Sequence, residues 1–409
     1  MLSYKYSELK NKLKSNNKII LFGAGDIGEL VKYSLNKISV KEDFYCDNDL
    51  RKHNTDYLGT KVISPKELKK FDKENTIIFI SNNYISVIRN QLTKLGFTLI
   101  YDCVEILKNT DFFKAKQSFA LQPYKIDRRI DYYTSMCMKE KYISSGKLNI
   151  KSIDIQITER CSMKCKNCSN LMQYYNKPIN SDIDELFLSI DRFMACVDNI
   201  YEFRILGGDP FMNKDLYKVV DQLKKYEQVK KIIVYTNARI IPKGASLECL
   251  KHKKVVVDIT NYGEGLSTKH DEIIKVLKEN EVLYSTTLTT EWTDSGRVLP
   301  YQEETLEEKK SKFINCCNSD ILSILHGKLY RCPFSANATN LKAVPFEKKD
   351  LVDLCDKNIS LPDLKVKIKE LAYNKDFLTA CSYCNGRDYT VQNIKAAEQT
   401  SKPIAYKVY

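Results

Sequence analysis

Short apolar runs bounded by polar residues alternate along the chain with longer segments whose apolar positions recur at helical spacing. The runs are typical of strands buried in a parallel sheet, and the segments are typical of the helices that cover it. The first part of the alternation predicts strands at 18–22, 44–46, 76–80 and 98–101 and a helix near 85–95. It predicts a small Rossmann-like α/β domain over residues 1–108. Over 109–150 it predicts a linker and a helix leading into the next domain.

The alternation resumes after residue 150 and predicts a series of βα units. The helix 181–199 has its apolar residues on one face, and Asp182 with Glu185 forms a capping signal at its start. Crossovers between strands of this kind are right-handed, so the sheet is predicted to be parallel. Its strands are predicted at 152–158, 201–206, 231–235, 254–260 and 281–288.

Polar or glycine-containing clusters follow several of these strands, at the end where α/β barrels place their sites. The pattern therefore predicts a partial barrel over 151–310. An α+β extension over 311–409 follows, in which His326 and Gly327 join strands 321–325 and 328–331 into a hairpin. A helix is predicted to begin near Pro362.

Composition narrows the class of protein. With 409 residues, 43% hydrophobic and 29% charged, the chain is predicted to be a globular protein of two or three domains. No apolar run approaches the roughly 18 residues of a membrane span, and no apolar signal region precedes the first domain, so a cytoplasmic location is expected. The net charge is +13, but lysines and acids interleave without an arginine-rich patch. We therefore expect no nucleic-acid or membrane partner. We expect a small-molecule substrate, and the positive net charge is compatible with a substrate that carries a phosphate group.

Three cysteines at CxxxCxxC spacing, Cys161, Cys165 and Cys168, follow the strand 152–158 directly. Thiolates suit iron–sulfur clusters or zinc. A structural zinc site needs a fourth ligand, and no further cysteine or histidine lies near this loop in the sequence. Three ligands on a four-iron cluster would leave one iron open for chemistry. A zinc knuckle or chance clustering is the alternative.

A second motif, Gly207-Gly208-Asp209-Pro210, follows the strand 201–206. Paired glycines let a backbone approach a ligand closely, and the proline fixes the exit of the turn. Alone, the motif would also fit an ordinary tight turn.

Together the two motifs resemble those of the radical S-adenosylmethionine (SAM) superfamily, with Asp209 in place of the usual glutamate. The resemblance implies a TIM-type (β/α)6 barrel and a [4Fe-4S] cluster on the three cysteines, whose open iron chelates SAM. It implies that the Gly207–Pro210 motif contacts the amino group of SAM and that Thr236 and Asn237 line its pocket. It further implies reductive cleavage to a 5′-deoxyadenosyl radical, with electrons from a flavodoxin- or ferredoxin-type donor.

A second group of cysteines lies near the C-terminus: Cys317 and Cys332 flank the hairpin at Cx9Gx4C spacing, and Cys381 with Cys384 forms a CxxC pair. This pattern resembles the twitch domain, the shorter relative of the SPASM extension. The resemblance implies an auxiliary [4Fe-4S] cluster with these four ligands. Cys316 competes with Cys317, which is weakly preferred, and a four-thiolate zinc site also satisfies the spacing.

In the first domain, Gly23, Gly25 and Gly28 form GxGxxG between a strand and a helix, and Asp47 ends the next strand. Such glycines let a pyrophosphate approach a helix N-terminus, and the acid is placed for a ribose contact. The domain resembles small Rossmann-like modules of glycan-pathway enzymes, which implies a nucleotide or nucleotide-sugar site. The alternative is a turn that serves only helix–strand packing.

Asp294 and Arg297 lie on a glycine-containing loop with the only tryptophan, Trp292, and are predicted as a substrate base and an anion anchor. An exposed ion pair is the alternative. The favoured hypothesis is a radical SAM oxidoreductase, of dehydrogenase or epimerase type, acting on a sugar-like or nucleotide-sugar substrate. This resembles the twitch-bearing dehydrogenases of aminocyclitol pathways. The rivals are a peptide-modifying maturase and a non-catalytic nucleotide-sugar-binding scaffold.

Overall fold

The computed structural model of the chain describes residues 6–13, 17–112, 126, 129–130, 133–134, 137, 147–374, 376–388 and 390–409. The chain divides into two compact units, residues 1–141 and 142–409. Most of the predicted linker and leading helix at 109–150 lies outside the described residues. Within the described residues, no helix has both the length and the apolar character that crossing a bilayer requires.

The first unit is built on a six-stranded sheet. Its strands are β1 (Lys18–Phe22), β2 (Phe44–Cys46), β3 (Asp56–Tyr57), β4 (Thr60–Ile63), β5 (Thr76–Ile80) and β6 (Ile100–Tyr101). Its helices are α1 (Tyr6–Leu13), α2 (Asp26–Lys37), α3 (Ile85–Lys94) and α4 (Val104–Lys108). The predicted strands at 18–22, 44–46 and 76–80 have the bounds observed.

The strand order is β3-β4-β2-β1-β5-β6, with β1 between β2 and β5 and only the β3–β4 pair antiparallel. Every residue of β5 is buried, as expected for a central parallel strand covered on both faces. The apolar faces of the four helices join the strands in one hydrophobic core.

The strands of the second unit are β7 (Asn149–Thr158), β8 (Asn199–Gly207), β9 (Val229–Thr236), β10 (Val255–Asn261), β11 (Tyr284–Leu288), β12 (Glu291–Thr293), β13 (Ile321–Leu325), β14 (Lys328–Tyr330), β15 (Leu351–Asp353) and β16 (Asn393–Lys395). Its helices are α5 (Ile183–Cys196), α6 (Leu216–Lys224), α7 (Ala245–Glu248), α8 (His270–Glu279), α9 (Leu306–Asn315), α10 (Pro333–Asn340) and α11 (Leu361–Tyr373). Asp182 caps α5, since its side chain accepts hydrogen bonds from the N–H groups of Asp184 and Glu185.

Eight of these strands form one sheet in the order β11-β10-β9-β8-β7-β13-β14-β15. The strands from β7 to β11 are parallel and in sequence order, as the βα pattern predicts. The strand β13 adds to the other side of β7, also in parallel, so the predicted C-terminal extension continues the same sheet. The short antiparallel pair β12–β16, which the sequence pattern did not reveal, stands apart from it.

The predicted hairpin β13–β14 is present. Its two turn residues, His326 and Gly327, have φ values of 45° and 67°. Two successive positive φ values match the twist of antiparallel strands, which explains the tight connection. The hairpin returns the chain from Cys316 and Cys317 towards Cys332.

Candidate functional site

The loop that carries Cys161, Cys165 and Cys168 is held against the end of β8 by two glycines. The N–H of Gly208 donates to the carbonyl of Thr158 at 2.9 Å, and the N–H of Asp209 donates to the carbonyl of Arg160 at 2.9 Å. A Cβ atom on Gly207 would lie 2.0 Å from the Thr158 oxygen, and one on Gly208 would lie 2.0 Å from the Arg160 oxygen. The glycines are therefore required because the two motifs pack backbone against backbone.

A cavity of about 380 Å³ opens above the carboxyl ends of these strands. This volume lies within the range of about 300–1,000 Å³ that small-molecule pockets occupy. All three cysteines line it, and so do Gly207, Gly208, Thr236 and Asn237 of the predicted SAM site. Further lining comes from Asp154, Arg204, Tyr235, Tyr262, Trp292, Asn318 and Arg387.

The three thiols are largely withdrawn from solvent. Burial raises the pKa of Cys165 to about 12 and also raises the pKa values of Cys161 and Cys168. At Cys168, hydrogen bonds from backbone N–H groups around residue 171 oppose this shift. Metal binding to thiols displaces their protons, because the ligand is the thiolate. Within the described parts of the chain, no three Cys, His, Asp or Glu side chains converge on a point suited to a single metal ion. The thiols instead lie along a cavity wall, a soft donor set of the kind that holds iron–sulfur clusters.

The side chain of Asp209 is bound by groups of the protein itself. Its carboxylate is fully buried and accepts hydrogen bonds from the Thr236 hydroxyl at 2.9 Å, from the Asn237 N–H at 3.2 Å and from the Phe211 N–H at 3.1 Å. Burial raises its pKa, and these three donors oppose the shift. Neither Asp209 nor Pro210 is among the described residues that line the cavity. Asp209 therefore fixes the Thr236–Asn237 turn at the end of β9, and both residues of that turn line the cavity.

An ion pair that the sequence analysis missed lies on the floor of the cavity. Asp154 on β7 and Arg204 on β8 are direct partners in the parallel register, and their side chains form a hydrogen-bonded ion pair. Burial raises the pKa of Asp154, an effect that Arg204 opposes, whereas Asp154 raises the pKa of Arg204 despite burial. The guanidinium carbon also lies 5.9 Å from the centre of the Tyr235 ring. The opposite charges of Asp154 and Arg204 therefore neutralise each other.

Arg387 is a second cation in the cavity lining that the sequence analysis did not identify. Unlike Arg204, it does not form an ion pair with Asp154. Its Nε atom is buried and has no hydrogen-bond partner among the described residues. Burial raises the pKa values of Asp154, Cys168 and Cys384, and the charge of Arg387 opposes each of these shifts. The guanidinium therefore acts electrostatically on both groups of thiols, and a buried unsatisfied donor of this kind suits an anionic ligand.

Asp294 and Arg297 do not have the positions predicted for catalytic residues. Their side chains form a doubly hydrogen-bonded ion pair, which raises the pKa of Arg297. Among the residues that the structure describes, neither is part of the cavity lining, whereas their neighbours Trp292 and Ser295 are. The two side chains thus form the ion pair of the alternative hypothesis, but it is not an exposed pair, since Asp294 is buried.

The second group of thiols surrounds a small cavity of its own, lined by Cys316, Cys332, Cys381 and Cys384. Burial raises the pKa values of Cys316 and Cys381 to about 12 and raises that of Cys332 well above its ordinary value. Cys317, which the sequence analysis weakly preferred, is exposed, and its thiol faces Asn318 instead. The geometry thus favours Cys316, because the chain turns Cys317 outward at this point.

One residue connects the two cavities. Asn318 lines both the cavity of the first three thiols and the cavity of the second group. The hairpin that follows Asn318 brings Cys332 back to the same place, and Pro333 lines the first cavity as well. A molecule bound beside Arg387 would therefore lie near both groups of thiols.

In the first unit, the contacts of the glycine motif are structural. A Cβ on Gly23 would lie 2.4 Å from the Ser81 oxygen, and one on Gly28 would lie 2.2 Å from the Gly23 oxygen, while Gly25 faces open space. The Asp47 carboxylate accepts hydrogen bonds from the Ala24 N–H at 3.0 Å and from the Lys52 ammonium at 3.1 Å. Close packing accounts for two of the glycines, and Asp47 braces the loop rather than presenting a free carboxylate to a ribose.

Comparisons with known proteins identify two regions of the chain. Residues 155–282 match the family described as a 4Fe-4S single cluster domain, and residues 15–99 match the family described as C2185-like, N-terminal. Among curated proteins, the GTP 3',8-cyclase of Clostridium acetobutylicum is 28% identical over 158 residues, which cover 33% of this chain and 48% of that enzyme. The GTP 3',8-cyclase of Campylobacter lari is 29% identical over 124 residues, covering 29% and 38%. The chain thus spans about half or less of the length of these relatives.

Solved structures with similar coordinates include a complex of BtrN with AdoMet and 2-DOIA and a structure of anSMEcpe with bound AdoMet. The first is 14% identical, covers 58% of this chain and 93% of that chain, and has a TM-score of 0.38. The second is 10% identical, covers 55% and 84%, and has a TM-score of 0.39.

Proposed function

We propose that residues 155–282, which match a 4Fe-4S single cluster domain, form a radical SAM domain and that the chain cleaves S-adenosylmethionine reductively. The 5′-deoxyadenosyl radical would then abstract hydrogen from an anionic small molecule. The observation that carries the proposal is the single cavity lined by Cys161, Cys165, Cys168 and Arg387. It combines soft donors for a [4Fe-4S] cluster with a partly buried guanidinium, whose buried Nε atom lacks a partner among the described residues, for a substrate.

Different residues of the chain would bind the cluster and SAM. Cys161, Cys165 and Cys168 would hold the cluster, which supplies one electron to the sulfonium of SAM. The backbone of the paired glycines and the Thr236–Asn237 turn would hold SAM itself. Asp209 would act as a positioning residue, because its carboxylate fixes the Thr236 hydroxyl and the Asn237 N–H.

We further propose that Cys316, Cys332, Cys381 and Cys384 hold an auxiliary cluster, with Cys316 in place of Cys317. Such a cluster near the substrate supports oxidation of a sugar-like alcohol. Held by these cysteines, the cluster would supply the one-electron acceptor that oxidation of a carbinol to a carbonyl group requires in addition to the loss of a hydrogen atom and of the hydroxyl proton. Proximity through the shared Asn318 wall supports this assignment.

The substrate class follows from Arg387. A guanidinium binds phosphate or carboxylate through paired hydrogen bonds, so a sugar phosphate or a nucleotide-sugar fits the cavity chemically. A second candidate reaction is the cyclisation of guanosine triphosphate. It is favoured by the similarity to proteins named GTP 3',8-cyclase and by the same cation.

The proposal can be tested with anaerobically reconstituted full-length protein, SAM and dithionite, with 5′-deoxyadenosine as the readout. Wild type is expected to release it, and Cys168→Ser is expected to lose this activity. Cys249→Ala serves as the matched control, since Cys249 is a buried thiol in the hydrophobic core of the second unit. Equal activity of the Cys168→Ser variant, or no 5′-deoxyadenosine from the wild type, would contradict the proposal.

Substrate classes can be separated in the same assay. Glucose 6-phosphate, a nucleotide-sugar, guanosine triphosphate and short peptides would be added individually, and products would be identified by mass spectrometry. An anionic small molecule should stimulate 5′-deoxyadenosine release and be converted. Conversion of peptides alone would replace this substrate class with that of a peptide-modifying maturase.

A further inference from the structure

The C-terminal segment lies directly on the loop of the first three cysteines. The N–H of Lys166 donates to the carbonyl of Glu398 at 2.8 Å, and the N–H of Thr400 donates to the carbonyl of Lys164 at 2.8 Å. These bonds make residues 398–400 an antiparallel partner of residues 164–166. No motif in the sequence marks this segment, and its position depends on the fold.

At the centre of this pairing, Gln399 contacts one of the thiols. Its Oε1 accepts a hydrogen bond from the Lys164 N–H at 2.9 Å, while its Nε2 lies 3.1 Å from Cys165 Sγ and 2.7 Å from the Ala397 carbonyl. The orientation of the amide is determined by these partners. The backbone N–H of Lys164 can only donate and the carbonyl of Ala397 can only accept, so the NH2 group must face the sulfur.

The segment is fixed on both sides of Gln399. Before it, β16 pairs with β12, and the N–H of Ala396 donates to the carbonyl of Thr290 at 2.9 Å. After it, the N–H of Ile404 donates to the carbonyl of Gln173 at 2.9 Å. Ala397 is buried against Met163 and Cys165 in a small apolar cluster. The amide is therefore held at the sulfur before any ligand binds.

We propose that Gln399 is a positioning residue that sets the reduction potential of the cluster bound by Cys161, Cys165 and Cys168, through an N–H···S hydrogen bond to Cys165. This inference rests on the proposed function, because it requires a cluster at these thiols. A hydrogen bond to a ligand sulfur stabilises the more negative, reduced state of the cluster, and such bonds are among the determinants of cluster potential. The C-terminal segment would thereby make the first electron transfer to the cluster easier.

The test compares Gln399→Glu and Gln399→Leu with the wild type. In Gln399→Glu, one carboxylate oxygen can still accept from Lys164, but the atom facing Cys165 no longer donates. Gln399→Leu removes all three contacts of the amide, with Lys164, Cys165 and Ala397, while keeping a similar volume. Glu398→Gln is the matched control, because it breaks the neighbouring ion pair with Lys166 and leaves the contact with the sulfur in place.

The measurement is an anaerobic redox titration followed by electron paramagnetic resonance, with and without SAM to identify the cluster that has the open iron. Both Gln399 variants are expected to have a more negative midpoint potential for that cluster. The expected change is up to about tenfold in the equilibrium between reduced and oxidised forms, or about 59 mV for one electron. Glu398→Gln should titrate like the wild type.

The possible outcomes separate the inference from the proposed function. An unchanged potential in both Gln399 variants, with normal iron content, would overturn the role of Gln399 and leave the proposed function standing. An equal shift in Glu398→Gln would also overturn it, since the effect would then come from the segment as a whole. Absence of iron at these thiols in the wild type would overturn both.

Discussion

Replacing Gly208 with alanine should separate the two motifs that form the site. A Cβ atom at this position would lie 2.0 Å from the Arg160 oxygen, 2.4 Å from its carbonyl carbon and 2.8 Å from the Cys161 nitrogen. Ordinary contact begins near 3.4 Å, so one backbone must move by more than an ångström. No side chain can rotate away, because every one of these atoms belongs to the main chain.

The movement would break the hydrogen bonds that Gly208 and Asp209 donate to Thr158 and Arg160. Overpacking typically costs about 1–3 kcal/mol, and each lost hydrogen bond costs about 1 kcal/mol. We therefore expect Gly208→Ala to lower the free energy of unfolding by about 3–5 kcal/mol. We also expect it to displace Cys161 and so to reduce the iron bound after reconstitution.

The assay is urea unfolding together with iron and sulfide determination. Gly265→Ala is the matched control, because no atom lies within 4 Å of a Cβ at that position and its φ is not positive. That variant should bind iron like the wild type and be unchanged or stabilised by up to about 1 kcal/mol. If Gly208→Ala were as stable as Gly265→Ala and bound as much iron, the backbone-packing explanation of the glycine pair would be wrong.

Three further predictions concern the rest of the site. Cys316→Ala should lose the iron of the auxiliary cluster while Cys317→Ala keeps it, as measured by iron content and Mössbauer spectroscopy. The reverse pattern would make Cys317 the ligand, as the sequence analysis preferred. Arg387→Ala should weaken binding of the anionic substrate about 10- to 100-fold in calorimetry, with Arg387→Lys intermediate, because the paired donors are lost; equal affinities would remove Arg387 from the substrate site. Asp154→Asn should lower the free energy of unfolding in urea by about 3–5 kcal/mol, since Arg204 is left buried without its carboxylate; a change below about 1 kcal/mol would mean that water compensates the charge.

Some parts of the molecule could be predicted because the signal is local. The three cysteines of the first loop are close in sequence and follow a strand of alternating polar and apolar residues, so their common position follows from chain geometry. The hairpin turn at His326 and Gly327 was equally predictable, since both strands and the turn lie within a dozen residues. The parallel order of β7 to β11 followed from repeated βα units.

Other parts depend on which partner a side chain finds, and the sequence does not contain that information directly. Asp209 and Asp294 were expected to face a ligand, but the first is occupied by the Thr236–Asn237 turn and the second by Arg297. Thr236 and Asn237 come near Asp209 only in the folded chain, whereas Arg297 lies three residues from Asp294, so that pairing was already open to a sequence-based prediction.

Four residues of the site were not predicted, and only some of them could have been identified from the sequence. Asp154 and Arg204 carry opposite charges at corresponding places in two adjacent predicted strands, and a register search could have paired them. Arg387 follows the CxxC pair by three residues, yet nothing in its spacing indicates that it reaches the first cavity. Gln399 gives no sequence signal, because its contact with Cys165 spans 234 positions of the chain.

The central claim is that Cys161, Cys165 and Cys168 hold a four-iron cluster with one iron that lacks a protein ligand. Mössbauer spectroscopy of protein reconstituted with isotope-enriched iron, with and without SAM, tests it most directly. The account predicts that SAM changes the signal of one iron in this cluster and leaves the cysteine-bound irons unchanged. Zinc in place of iron at these thiols, or a cluster spectrum that SAM does not alter, would contradict it.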